Sequence, residues 1–167
     1  KKEAGPMLFT QIRVGLGNEP FKMFKFRSMI TKEHWAEVGF DPHKESWTTE
    51  GDPRITKIGH FMRKTRLDEL PQLLNVIRGE MSFVGPRPES VPYVEELEKE
   101  LPFYNLRHSV QPGLTGWAQV MYPYGATTED SLRKLEFDLY YIKHQNFVMD
   151  IGIFFKTVKT VLSVKGR

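Results

Sequence analysis

Two adjacent carboxylates, Asp68 and Glu69, open a run in which Leu67, Leu70, Leu74 and Ile77 recur at helical spacing. The spacing predicts a helix over about residues 66–78 with that apolar stripe turned inward. Thr65 is placed to cap it, with Asp68 three residues on, as in a capping box. Pro71 is tolerable near a first turn, and Gly79 supplies a stop. The preceding stretch is basic, with Arg54, Lys57, His60, Arg63, Lys64 and Arg66. Two acids among so many cations at a helix start suit chemistry on a phosphate. The helix end and the cations would hold the phosphate, and a carboxylate can attack it or bring a metal to it.

The flanking segments supply a frame. Residues 7–14 and 21–29 are β-like runs joined by Gly15-Leu16-Gly17-Asn18-Glu19-Pro20, which reads as a hairpin. In the second run Phe24 and Phe26 share a face expected to pack, while Met23, Lys25 and Arg27 share one that can meet a ligand. Residues 31–53 are charged and irregular, with at most a helical turn near residues 34–38. A helix over about 56–64 is expected to present Ile58, Phe61 and Met62 inward.

Residues 81–84 are a short apolar stretch leading into Gly85-Pro86-Arg87-Pro88, a stiff loop that fixes one cation in space. Residues 92–100 read as an acidic, solvated helix. Residues 112–116 read as a turn with free backbone N–H groups, followed by an extended piece at 117–120. Residues 131–143 are helical, with Leu132, Leu135, Leu139 and Ile142 on one stripe. The last segment, 149–164, is amphipathic: Ile151, Phe154, Phe155, Val158, Val161 and Leu162 oppose Lys156 and Lys159, with Lys165 and Arg167 beyond. Such a helix either packs on a core or lies on a membrane surface.

Composition sets bounds on these readings. At 167 residues, 40% hydrophobic and 27% charged, the chain suits one globular domain. The fold class expected is α+β, mostly helical. A net charge of +3 and a pI near 9.1 permit anionic partners without choosing among them. With no cysteine, disulfides, thiolate metal sites and cysteine nucleophiles are excluded. No run of about 18 apolar residues is present to span a bilayer as a helix. The chain starts at Lys1 without methionine and enters a strand-like run almost at once, so a preceding part, able to carry a membrane segment, is expected.

Each candidate has an ordinary alternative. Acids are common in a first helical turn because they complement the macrodipole. If Asp68 and Glu69 are functional, they point about 100° apart on an α-helix and do different jobs. The surrounding cations are expected to lower both pKa values. Lys25, Arg27, Arg87 and Arg107 are candidate phosphate ligands, Arg87 foremost because prolines flank it; singly, each also reads as a solvated charge. Asp138 reads as the polar side of a helix. Gly15-Leu16-Gly17 opens no helix and is a turn. The histidines show no metal-ligand spacing.

At this point the chain resembles the bacterial sugar transferases, monotopic phosphoglycosyl transferases that start exopolysaccharide, O-antigen or glycoprotein glycan assembly. The matching blocks are Lys25-Phe26-Arg27-Ser28-Met29, Asp52-Pro53-Arg54-Ile55-Thr56, residues 65–76, residues 79–88, residues 107–120 and residues 136–141, in family order. The resemblance implies transfer of a sugar 1-phosphate from a UDP-sugar to a polyprenyl (undecaprenyl) phosphate with Mg²⁺, releasing UMP. It implies Asp68 as the nucleophile that forms a covalent phosphosugar intermediate, assisted by Glu69. The phosphate-binding set implied is Lys25, Arg27, Arg63, Arg87, Arg107 and Gln119, and the metal set Asp68, Glu69 and Asp138. It also implies a catalytic domain over 1–167, a re-entrant membrane helix just before Lys1, contact with membrane lipid, and a place at the cytoplasmic face of the bacterial inner membrane. The rival expectation is a non-catalytic basic module that binds nucleic acid or the membrane surface.

Overall fold

The computed structural model describes residues 5–41, 51–122, 125 and 127–162. Pro42, Val164, Lys165 and Arg167 lie outside these residues. The architecture is α+β: a β-hairpin, a two-stranded parallel sheet and six α-helices among the described residues.

β1 (Leu8–Val14) pairs antiparallel with β2 (Pro20–Phe26), from Leu8 opposite Phe26 to Val14 opposite Pro20. The expected hairpin is present, but its faces are used differently. Met23 is buried and Lys25 on the same face turns onto the domain, because the free edge of β2 is closed from that side. The fully buried Asn75 does the closing: its Oδ1 accepts from the Phe24 N–H (3.1 Å) and its Nδ2 donates to the Lys22 carbonyl (2.7 Å). One side chain thus mimics a strand partner and satisfies an edge that would otherwise stay open.

Two 3₁₀ turns, Lys32–His34 and Ala36–Val38, replace the single turn expected there. The buried Arg54 pairs with Asp52 (2.6 Å) and lies over the rings of Trp35 (4.7 Å) and Phe40 (4.2 Å). This cation therefore builds the fold and does not face the dyad. Thr56 then caps α1 (Lys57–Lys64), its Oγ1 accepting from the Gly59 N–H at 2.9 Å. Gly59 lies so close to the Ser28 backbone that a Cβ would fall on the Ser28 carbonyl. α1 packs through that glycine, so Ile58 and Phe61, expected inward, point away and are 73% and 61% exposed.

The helix expected over 66–78 is divided. Thr65 closes α1 instead of opening the next element, its Oγ1 donating to the Phe61 and Met62 carbonyls. Arg66 turns the chain with φ 59°, and a 3₁₀ helix, Leu67–Gln72, follows before α2 (Leu73–Ile77). Pro71 is the physical reason: it donates no hydrogen bond, and its ring opposes the carbonyl four residues back, so the first turns stay 3₁₀. Pro71, Gln72 and Asn75 are buried, while Leu67, Leu70, Leu74 and Ile77 form an exposed apolar stripe.

β3 (Ser82–Val84) pairs parallel with β4 (Gly113–Thr115), Val84 opposite Thr115. The Gly113 N–H donates to Pro86 O (2.8 Å), so the expected anion-binding turn is a strand whose amide is taken. The crossover carries α3 (Val91–Glu100), which buries Val94 and Leu97 and is amphipathic where a solvated helix was expected. α4 (Trp117–Met121) stands where an extended piece was expected. α5 (Thr128–His144) begins with a Thr127–Asp130 capping box, and α6 spans Phe147–Leu162. Val14, Val94, Leu97, Leu101, Tyr104 and Leu135 form one core; Val84, Tyr141 and Ile153 form a second under α6. The Gly85–Glu89 loop runs from one core to the other.

Candidate active site

The dyad lies in the first turn of the 3₁₀ helix that Arg66 and Pro71 force on the chain. Adjacent side chains there diverge by about 120°. Three cations converge on a single oxygen, Glu69 Oε1: Arg87 Nη2 at 2.9 Å, Arg66 Nη1 at 3.7 Å and Lys25 Nζ at 3.9 Å. Asp68 is treated differently. Its Oδ1 is buried with no hydrogen-bond partner among the described residues.

The two carboxyls consequently move apart. Burial would raise Glu69, but Arg87, then Lys25 and Arg66, outweigh it and hold the group at about 2. Asp68 is raised from the ordinary aspartate value, first by burial and then by the negative charge of Glu69; Lys25, Arg63 and Arg66 oppose this without reversing it. The expectation that the cations lower both carboxyls is thus corrected for Asp68, because Glu69 takes their contacts. Lys25 is lowered to about 8 by burial and by the neighbouring Arg87.

Arg87 comes from the Pro86-Arg87-Pro88 loop. Four successive carbonyls of this loop are each held by a donor from elsewhere. Gly113 N–H takes Pro86 (2.8 Å), Arg107 Nη2 takes Arg87 (2.9 Å), Arg13 Nη1 takes Pro88 (3.3 Å) and Val14 N–H takes Glu89 (3.0 Å). Arg13 also reaches Glu89 Oε2 at 3.4 Å. Arg13 was not among the sequence candidates; its one signal is a cation next to the apolar strand end at Val14.

The sequence candidates therefore divide. Asp68, Glu69, Lys25 and Arg87 meet, with Arg66 beside them, and Arg63 at the end of α1 is near enough to bear on Asp68. Arg27 turns away: its Nε donates to Pro6 O (2.9 Å) and its guanidinium lies over the Phe9 ring. Arg107 and Asp138 are buried against each other at 2.8 Å, behind the loop. Gln119 is on α4, its Oε1 buried and unpartnered among the described residues, with no bond to the dyad. No group of three or more His, Asp or Glu side chains able to hold a metal is present among the described residues. A divalent ion of the Mg²⁺ type needs fewer, since it takes one or two carboxylates and completes its shell with phosphate oxygens and water. The unpartnered Asp68 Oδ1 and the adjacent Glu69 fit that habit.

A family model described as bacterial sugar transferase matches residues 1–164. A UDP-N-acetylgalactosamine-undecaprenyl-phosphate N-acetylgalactosaminephosphotransferase from Aeromonas hydrophila is 45% identical over 162 residues, covering 97% of this chain and 37% of that protein. A UDP-glucose:undecaprenyl-phosphate glucose-1-phosphate transferase from Escherichia coli (strain K12) is 45% identical over 156 residues, 92% of this chain and 32% of that protein. One of the same name from Caulobacter vibrioides is 38% identical over 161 residues, 95% of this chain and 58% of that protein. The chain thus spans about a third of the first two relatives' length. The family match takes in the dyad, the Arg87 loop and the strands that carry them, and the chain belongs to the bacterial sugar transferase family.

Proposed function

We propose that the protein transfers a sugar 1-phosphate from a UDP-sugar to undecaprenyl phosphate through a covalent phospho-aspartate on Asp68. The observation that carries this reading is the division of labour in the dyad: Glu69 absorbs the cations, and Asp68 keeps a buried, unpartnered oxygen of raised basicity. A desolvated carboxylate is the stronger nucleophile of the two. Its oxygen attacks the sugar-proximal phosphorus, the bond to the bridging oxygen breaks, and UMP leaves with that oxygen. An oxygen of the polyprenyl phosphate then attacks the same phosphorus and frees the Asp68 carboxylate. Arg87, Lys25, Arg66 and Arg63 neutralise the diphosphate. Mg²⁺, held by Asp68 and Glu69 together with the donor's phosphates, would supply further charge neutralisation. The relatives' names support the donor and acceptor classes.

The dyad works on a lipid-borne acceptor at a bilayer surface. Ile58, Phe61, Leu67, Leu70, Leu74 and Ile77, all within 20 residues around the dyad, expose apolar side chains, and so do Ile151, Phe154 and Phe155 on α6. Exposed patches of this kind mark contacts. No helix among the described residues is long and apolar enough to cross a membrane. A UDP-sugar donor places the site on the cytoplasmic side. Lys25, Arg66 and Arg87 face Glu69, which is what a phosphate-transfer site needs of them.

The test is UMP release by the full-length protein in lipid nanodiscs with a panel of UDP-sugars. Up to one equivalent of UMP without acceptor, continued release that requires undecaprenyl phosphate, and loss of both in Asp68→Asn are expected. Release that persists in Asp68→Asn would contradict the assignment.

A further inference from the structure

Arg107 and Asp138 form a buried charge pair outside the dyad, as Arg54 and Asp52 do, and the family resemblance gives them to phosphate and metal. Their surroundings do not suit either job. Arg107 is 5% exposed and Asp138 is 2% exposed. Arg107 spends Nη1 on the Tyr104 hydroxyl (2.6 Å) and Nη2 on Arg87 O (2.9 Å), and Nη2 also forms an ion pair with Asp138 Oδ2 at 2.8 Å, an oxygen that makes no hydrogen bond among the described residues. The space beside it, lined by Glu89, Tyr93, Tyr104, Ser131 and Lys134, is about 50 Å³. That is room for a water or two and not for a sugar diphosphate. Asp138 meets the Arg107 guanidinium and, among the described residues, makes no ion pair with a cation of the dyad's site.

Resting on the function proposed above, we propose that Arg107 and Asp138 are positioning residues that act through Arg87. The two prolines remove N–H donors from both sides of Arg87, so from Pro86 to Glu89 the loop is held through its carbonyls, after the Gly85 N–H donates to Thr115 O at its start (2.9 Å). Three of the four carbonyl contacts, from Gly113, Arg13 and Val14, hold the loop at Pro86, Pro88 and Glu89. Among the described residues, Arg107 is the donor that holds the carbonyl of the residue that carries the charge. Asp138 orients Arg107 from α5, and Arg87 in turn meets Glu69 Oε1 at 2.9 Å. A line of contacts therefore runs from α5 through the loop to the dyad. A shift of Arg87 by an ångström costs a site of this type about 10²-fold in rate.

The experiment is a double-variant cycle on the full-length protein in nanodiscs. It compares Asp138→Asn, Arg107→Lys and Arg87→Ala, alone and combined, by UMP release. Asp138→Asn and Arg107→Lys are each expected to lower kcat by about 10²-fold in the parent and by less than about threefold in the Arg87→Ala background. Asp138→Glu is expected to recover part of the loss. The Mg²⁺ concentration for half-maximal rate should be unchanged in Asp138→Asn. Effects that multiply with Arg87→Ala, or a raised Mg²⁺ requirement, would overturn the proposal and return Arg107 to phosphate or Asp138 to metal.

Amide exchange of this chain gives a readout free of turnover. Asp138→Asn and Arg107→Lys should each speed exchange at Gly113 and Val14, whose N–H groups close on the loop, while α1 stays protected. Loop protection equal to the parent in both variants would refute positioning, whatever the activity. Faster loop exchange in a protein that releases no UMP with any UDP-sugar would leave the positioning intact and remove the proposed function.

Discussion

Asp68→Asn is expected to make this chain more stable while abolishing turnover. Asp68 Oδ1 is buried without a hydrogen-bond partner, and Glu69 places a second negative charge in the same turn. Burial and Glu69 raise the Asp68 carboxyl above its ordinary 3.8. A carboxyl raised by folding is held less comfortably as an anion in the folded state than in the unfolded one. Ionised Asp68 therefore costs stability above its folded pKa, and the cost disappears below the unfolded value, where both states are protonated. An unmade hydrogen bond to a buried group costs about 1–3 kcal/mol, and more when the group is charged. Asparagine removes the charge but keeps an unpartnered oxygen, so about 1 kcal/mol should be recovered. For a chain of this length that is a rise of roughly 2–4 °C in Tm. Thermal unfolding of parent and variant near pH 7 and near pH 3 measures it. The gain should be present at the higher pH and absent at the lower. A variant less stable near neutrality, or a gain indifferent to pH, would refute the argument that the dyad stores strain on Asp68.

Glu69 should behave in the opposite sense. Its carboxyl is held at about 2 against an ordinary 4.5, which corresponds to about 3 kcal/mol of stability at neutral pH. Because the folded pKa is depressed, that contribution is complete above pH 4.5 and is lost as pH falls towards 2; Glu69→Gln should lose it and flatten this acid limb in urea unfolding. Lys25, at about 8, should make kcat/KM fall as pH rises through that value, and Lys25→Arg should move the fall upward in a pH–rate profile. Phe61→Glu combined with Ile77→Glu should weaken liposome flotation of this chain without changing its far-UV circular dichroism, since both side chains are exposed; unchanged flotation would remove this face from the membrane contact.

Local signals were read correctly where a few neighbouring residues decide the outcome. The Gly-Asn-Pro connection makes the hairpin and the helix expected over about 56–64 is α1, while α5, expected from 131, starts three residues earlier at the Thr127–Asp130 capping box. The dyad itself was legible because two acids stand out against a basic run. Errors arose where a distant partner decides. Helical spacing of Leu67, Leu70, Leu74 and Ile77 suggested a core stripe, yet Asn75 on the other side is what β2 needs, so the leucines face out. The parallel pairing of β3 with β4 joins strands about 30 residues apart. Arg13 and Arg107 belong to the Arg87 loop through its carbonyls, and main-chain acceptors leave no mark on side-chain pattern. The direction of the Asp68 shift also depended on geometry, since composition counts the cations but not which oxygen they choose.

The central claim is that Asp68 carries the phosphosugar between the two half-reactions. The most direct measurement is intact and peptide mass of the full-length protein after incubation with UDP-sugar and Mg²⁺ in nanodiscs lacking undecaprenyl phosphate. The account predicts a single hexose- or N-acetylhexosamine-phosphate adduct on the peptide containing Asp68, formed with UMP, discharged on adding undecaprenyl phosphate and absent in Asp68→Asn. An unmodified protein that nevertheless forms product as soon as the acceptor is added, or an adduct on another residue, would contradict it.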